Sequence, residues 1–61
     1  MRKLRVLVAD DSEFMCLACR RILETQEHLQ VVAMAADGRE AVSRAESLNP
    51  DVAILDVRMP K

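Results

Sequence analysis

The sequence predicts an α/β fold: a β-α-β-α-β chain whose strands form one parallel sheet in the order 2-1-3. Three short apolar runs, LRVLVA, LQVVAMA and VAIL, alternate with two segments whose apolar residues recur at helical spacing. Strands alternating with helices imply a parallel sheet with right-handed crossovers. In addition, the first and third runs both end in aspartate, at Asp10–Asp11 and at Asp56. If the chain reverses direction across the sheet after the second strand, the first and third strands become neighbours. Their carboxyl ends then flank a topological switch point, where open α/β sheets bind ligands.

Each element has a local reason. Leu4–Ala9 is a short apolar run containing β-branched residues, suited to a strand covered on both faces. Asp11 and Ser12 follow as candidate helix caps. Met15, Ala18, Cys19, Ile22 and Leu23 form one apolar helical face, with Arg20, Arg21 and Glu24 on the other side. Gln26 to His28 interrupts this pattern, and Leu29–Ala35 supplies the second strand. Ala36, Asp37 and Gly38 make a turn, with Asp37 the expected cap of a helix over Arg39–Leu48. Ala41, Val42, Ala45 and Leu48 give that helix a narrow apolar stripe. Asn49–Pro50 ends it, because residues before proline disfavour the helical region. Val52–Leu55 is the third strand, and Val57–Pro60 reads as loop.

The chain has 61 residues, and a domain that small buries only about 60% of the surface its unfolded form exposes. Its composition is nonetheless globular, 51% hydrophobic and 31% charged, which argues against disorder. A formal net charge of −1 gives neither a nucleic-acid footprint nor a membrane-binding face. Arg2, Lys3 and Arg5 resemble the basic start of a signal peptide, but the apolar run stops at Asp10, too early for such a segment. The chain reads as soluble and intracellular. His28 reads as a solvated residue.

Two features carry chemistry. Cys16 and Cys19 have the C-x-x-C spacing, but redox use requires the first thiol at a helix N-terminus, and Ser12 is the better cap. A zinc site requires about four ligands, which His28 does not complete. Cys19 is therefore expected to be a small core residue and Cys16 an exposed thiol. The aspartates are more telling. Taken singly, Asp10 and Asp11 read as helix caps and Asp56 as a turn former. Taken together, three carboxylates at one switch point would raise one another's pKa and cost stability without a counter-charge. A hard divalent cation resolves the conflict, and oxygen ligands with room for water suit Mg²⁺.

The segments VLVADDS, AADGREA and DVAILDVRMP, in this order and spacing, resemble the receiver domain of bacterial two-component response regulators. The resemblance covers the whole chain and implies a partial flavodoxin-like (receiver) fold over residues 1–61. It implies that Asp56 is the phosphoacceptor, taking a phosphoryl group from a sensor histidine kinase. It further implies that Mg²⁺ is held by Asp11, Asp56 and the Arg58 main-chain carbonyl, with Asp10 acting through water. On this reading the chain is the N-terminal half of a receiver, with no output domain. The sensing hydroxyl residue, switch aromatic and paired lysine of the family lie beyond it, and Lys61 cannot take the lysine's role. Phosphotransfer is then expected to be impaired and the chain to be no enzyme.

The other expectations concern placement and assembly. The receiver reading places the chain in the cytoplasm, without direct nucleic-acid or membrane contact. The third strand is apolar and lacks a blunting charge between Val52 and Leu55, so it is expected to form a homo-oligomer, most simply a dimer, through its free edge. The alternative function is a self-associating half-domain, a structural unit without signalling activity. A thiol oxidoreductase built on CLAC is a third, weaker reading.

Overall fold

A computed structural model of the chain describes residues 2–55. Its elements are β1 (Leu4–Ala9), α1 (Glu13–Leu23), β2 (Leu29–Ala35), α2 (Gly38–Leu48) and β3 (Val52–Leu55). The three strands are parallel, as the alternation of patterns implies, and lie in the expected order β2-β1-β3. All three strands have the expected bounds, and α2 begins one residue earlier than expected, at Gly38.

β1 is the central strand and is enclosed: Val6, Leu7, Val8 and Ala9 are all buried. Its side chains alternate between two small cores. Leu7 and Ala9 pack with Ala35 and Ala41, joined by Ala33 and Ala45 of β2 and α2. Val6 and Val8 pack with Cys16, joined by Cys19, Leu23, Leu29, Val31 and Met34. One helix thus covers each face of the sheet, which explains why the first run is apolar without a break from Val6 to Ala9.

β2 changes face partway along. Val6 is level with Val31 but Leu7 is level with Ala33, so Val32 is an extra residue in the ladder. Before this bulge Leu29 and Val31 serve the α1 side; after it Met34 does, while Ala33 and Ala35 turn to α2. One inserted residue flips the alternation, because strand side chains have a period of two. The Glu24 carboxylate accepts a bond from the Val31 N–H at 3.1 Å, just before the bulge.

The helix ends follow their caps. Ser12 precedes α1 in extended conformation, and its hydroxyl accepts from the Met15 N–H at 3.3 Å. Asp37 does the same for α2 through the Glu40 N–H at 2.8 Å. α2 closes on Asn49 in the left-handed region (φ 48°), which asparagine tolerates better than most residues, and Pro50 follows.

The inward face of α1 differs from the expected stripe. Cys16 is only 3% exposed and belongs to the core with Cys19 and Leu23, whereas Met15 and Ile22 are exposed, Ile22 by 69%. The expectation of an exposed Cys16 is corrected accordingly. Cys16, Cys19 and Leu23 are themselves spaced i, i+3 and i+7, an equally helical pattern. The sheet takes the small side chain of Cys16 in place of Met15 and Ile22. Val42 of α2 is likewise exposed rather than part of the stripe.

Candidate functional site

The carboxyl ends of β1 and β2 and the starts of both helices meet around an open hollow of about 270 Å³. Asp10 and Asp11 border it, together with Glu13 of α1 and Glu40 of α2, and Cys16 and Ala35 contribute to its wall. Asp10 is the buried member of the pair, at 8% exposure, and Asp11 is exposed.

Asp10 is held at both its main chain and its side chain. Its N–H donates to the Ala35 carbonyl at 3.0 Å, continuing the β1–β2 ladder beyond the strands. Its Oδ1 accepts from the Ser12 N–H at 2.9 Å, an Asx turn that starts α1. The aspartate is therefore oriented by the same turn that caps the helix.

The pairing of β3 with β1 brings the strand ends level. Leu55 is in register with Ala9, so Asp56 follows in sequence from a residue alongside the start of the acid pair. The candidate site residues Asp56 and Arg58, the loop Val57–Pro60 and Lys61 lie outside the described residues. Asp10 and Asp11 are the two site residues the structure describes, and both border the hollow. Among the described residues no group of three His, Cys, Asp or Glu side chains is placed to hold a metal. The pair does fit a hard cation in kind: adjacent carboxylate oxygens beside an open, wettable hollow are donors that Mg²⁺ takes.

Sequence reasoning overlooked Glu13 and Glu40 as neighbours of the site. Glu40 carried a signal in the D-x-x-E spacing from Asp37, a helix-start pattern; Glu13 carried none beyond following the cap.

Cys16 has no redox geometry. Its Sγ lies 3.5 Å from the Asp10 carbonyl and 3.8 Å from that of Ala35, as a buried donor. Burial pushes its pKa above the ordinary 9.0, opposed by the bond to Asp10, so the thiol stays protonated at neutral pH. Both cysteines are free. The oxidoreductase reading has no support here.

Comparison with known proteins agrees with this fold. Residues 6–61 match the family model described as the response regulator receiver domain. The chain is 48% identical to protein-glutamate methylesterase/protein-glutamine glutaminase 5 of Geobacter metallireducens, over 98% of this chain and 17% of that protein. It is 51% identical to the corresponding protein of Caldanaerobacter subterraneus, over 97% of this chain and 16% of that one. The chain thus spans about a sixth of the curated relatives it matches. Among solved structures, it superposes on the response regulator domain of Thermotoga maritima CheB with a TM-score of 0.92 at 47% identity, over 98% of this chain and 45% of that chain. A second match, from a complex of the CheA3 P1 domain with CheY6 of R. sphaeroides, has a TM-score of 0.86 at 32% identity, over 98% of this chain and 47% of that chain. Among the described residues no helix is long and apolar enough to cross a membrane.

Proposed function

The chain belongs to the response regulator receiver domain family, and on that premise we propose that it is the phosphoacceptor segment of a two-component system, with Asp56 the acceptor. The observation that carries this reading is the acid pair Asp10–Asp11 at the end of β1, level with the end of β3, from which Asp56 follows.

The chemistry needs little from the protein beyond position and charge. The Asp56 carboxylate is already ionised and requires no general base. It attacks phosphorus, a new P–O bond forms on Asp56, and the P–N bond of the donor phosphohistidine breaks, with the imidazole leaving. Asp11, Asp56 and the Arg58 carbonyl would hold Mg²⁺, and Asp10 would orient a water on it. Bound there, Mg²⁺ offsets charge on the phosphoryl oxygens. The phosphoryl donor is a sensor histidine kinase, a reading supported by the match to a chain from a CheA3–CheY6 complex. The cytoplasm is the compartment that suits both this donor and two free thiols. The esterase and glutaminase activities named for the relatives would belong to parts of those proteins outside the sixth matched here.

The test is Mg²⁺-dependent labelling by acetyl phosphate, read as a mass increase on the intact chain. Labelling abolished by Asp56→Asn and by chelation supports the reading; labelling that survives Asp56→Asn overturns it.

A second reading has its own observation. β3 pairs with β1 on one side, its other edge faces no strand among the described residues, and Val52, Ile54 and Leu55 are 39–54% exposed. Such an edge recruits a strand, and a second copy joined antiparallel about a two-fold axis would supply one. Sedimentation of the 61-residue chain at micromolar concentration tests this: a dimer supports it and a folded monomer overturns it.

A further inference from the structure

Glu40 is tied into the hollow by a bond that neither helix capping nor the family resemblance assigns. It is the third residue of α2, and its N–H donates to the Asp37 cap at 2.8 Å. In a reciprocal capping box its carboxylate would return to the N–H of the cap residue. Instead, Oε1 accepts from the N–H of Ala36, one residue further back, at 2.8 Å. Oε2 meets Arg44, one turn along the helix, at 3.3 Å, which steadies the carboxylate from the other side.

The Ala36 N–H belongs to the same peptide unit as the Ala35 carbonyl. That carbonyl accepts the Asp10 N–H at 3.0 Å and faces the Cys16 thiol at 3.8 Å. A peptide unit is planar, so a bond that fixes the direction of its N–H also fixes its C=O. A charged acceptor on the N–H also polarises the carbonyl, strengthening the bond it accepts. The chain of contacts therefore runs Glu40 to the Ala35–Ala36 peptide, to the Asp10 main chain, and through Asp10 Oδ1 to the Ser12 N–H.

We propose that Glu40 is a positioning residue for the acid pair: by holding the Ala35–Ala36 peptide plane it sets the main chain of Asp10, and so the direction of its carboxylate into the hollow. Its consequence for metal affinity rests on the reading of Asp10 and Asp11 as a Mg²⁺ site. Its consequence for the Asp10 amide does not.

Position and charge are separable by substitution. Glu40→Gln keeps an acceptor oxygen and removes the charge; Glu40→Asp keeps the charge but is one methylene too short to reach Ala36. The experiment follows Asp10 and Ala36 amide exchange by NMR, with Mg²⁺ titration of the same samples and urea unfolding as a control for stability. Glu40→Asp should exchange the Ala36 amide about fivefold faster, the loss of its hydrogen bond, speed exchange of the Asp10 amide in turn, and bind Mg²⁺ more weakly. Glu40→Gln should stay within about twofold of the parent on all three, and thereby rescue what the shorter acid loses. An unchanged Asp10 amide in Glu40→Asp overturns the proposal, as does a Glu40→Gln variant as impaired as Glu40→Asp. If the parent chain shows no Mg²⁺ response, the metal reading fails, and the amide exchange alone still decides the role of Glu40.

Discussion

The Asp51 carboxylate accepts the Arg5 main-chain N–H at 2.8 Å, while the Asp51 N–H donates to the Arg5 carbonyl at the same distance. One aspartate thus clamps the entry of β3 to β1 through both its backbone and its side chain. Arg2 adds an ion pair at 2.9 Å, and the Arg5 guanidinium reaches the Asn49 carbonyl at 3.1 Å. The clamp sits at the opposite end of the strands from the acid pair, and the register it sets brings Leu55 level with Ala9.

The bond from Arg5 holds the Asp51 carboxyl below its ordinary value of 3.8, with the Arg2 charge assisting. A depressed folded-state pKa contributes stability above the unfolded value that is lost as pH falls through the folded one. The urea midpoint should therefore fall on acidification below about pH 4, and Asp51→Ala should flatten that part of the profile. Asp51→Asn, which retains an acceptor oxygen, should lose less stability at neutral pH than Asp51→Ala. Equal losses for the two variants would show that the bond to Arg5 contributes nothing.

The contrast between a buried residue of β1 and an exposed one of α1 yields a second prediction. Leu7 is 1% exposed in the centre of the sheet, so Leu7→Ala should cost about 3 kcal/mol, enough to unfold much of a marginal chain. Ile22, 69% exposed, should tolerate alanine within about 0.5 kcal/mol. A loss at Ile22 comparable with that at Leu7 would mean that the face carrying Met15 and Ile22 is covered in solution.

This pair also shows what could be read from the sequence. β1, α2 and β3 announced themselves through the apolar run Val6–Ala9, an Asp37 cap and a proline stop, all local signals. Their alternation implied a parallel sheet, while the strand order needed a reversal of direction that no local signal marks. The rotation of α1 could not be read this way, because Met15–Ile22 and Cys16–Leu23 are both helical stripes. The choice depends on how closely the helix approaches Val6 and Val8. The bulge at Val32 was equally hidden: LQVVAMA has no glycine or proline to mark it, and only the need to serve both cores reveals it. At the site, Asp10 and Asp11 stood out as adjacent acids after a strand. The bond from Ala36 to Glu40 depends on a loop conformation that spacing does not specify.

The thiols should report the orientation of α1 directly. With Cys16 buried and its pKa raised, a thiol-disulfide reagent at neutral pH should modify Cys19 first and Cys16 only at the rate of opening. Above pH 9 the unfolded chain ionises this thiol while the folded chain holds it neutral, so alkaline stability should fall, and fall less in Cys16→Ala. Faster labelling of Cys16 than of Cys19 would place the helix in the other rotation.

The acid pair gives the last prediction, and burial divides its members. Asp10 is buried and commits one oxygen to the Ser12 N–H, so its substitution disturbs the turn into α1 as well as any bound water. Asp11 is exposed beside the hollow and can be changed with little effect on packing. Asp11→Asn should therefore leave the urea midpoint near the parent value while weakening Mg²⁺ binding, since a neutral amide oxygen is a poorer partner for a hard cation than a carboxylate. Asp10→Asn, acting through the outer shell, should weaken binding by about tenfold and lower the midpoint too, because the amide is a weaker acceptor for the Ser12 N–H. Mg²⁺ titrations followed through the Asp10, Asp11 and Ser12 amides, paired with unfolding curves, separate the two effects. Undiminished Mg²⁺ binding in Asp11→Asn would remove that residue from the metal site.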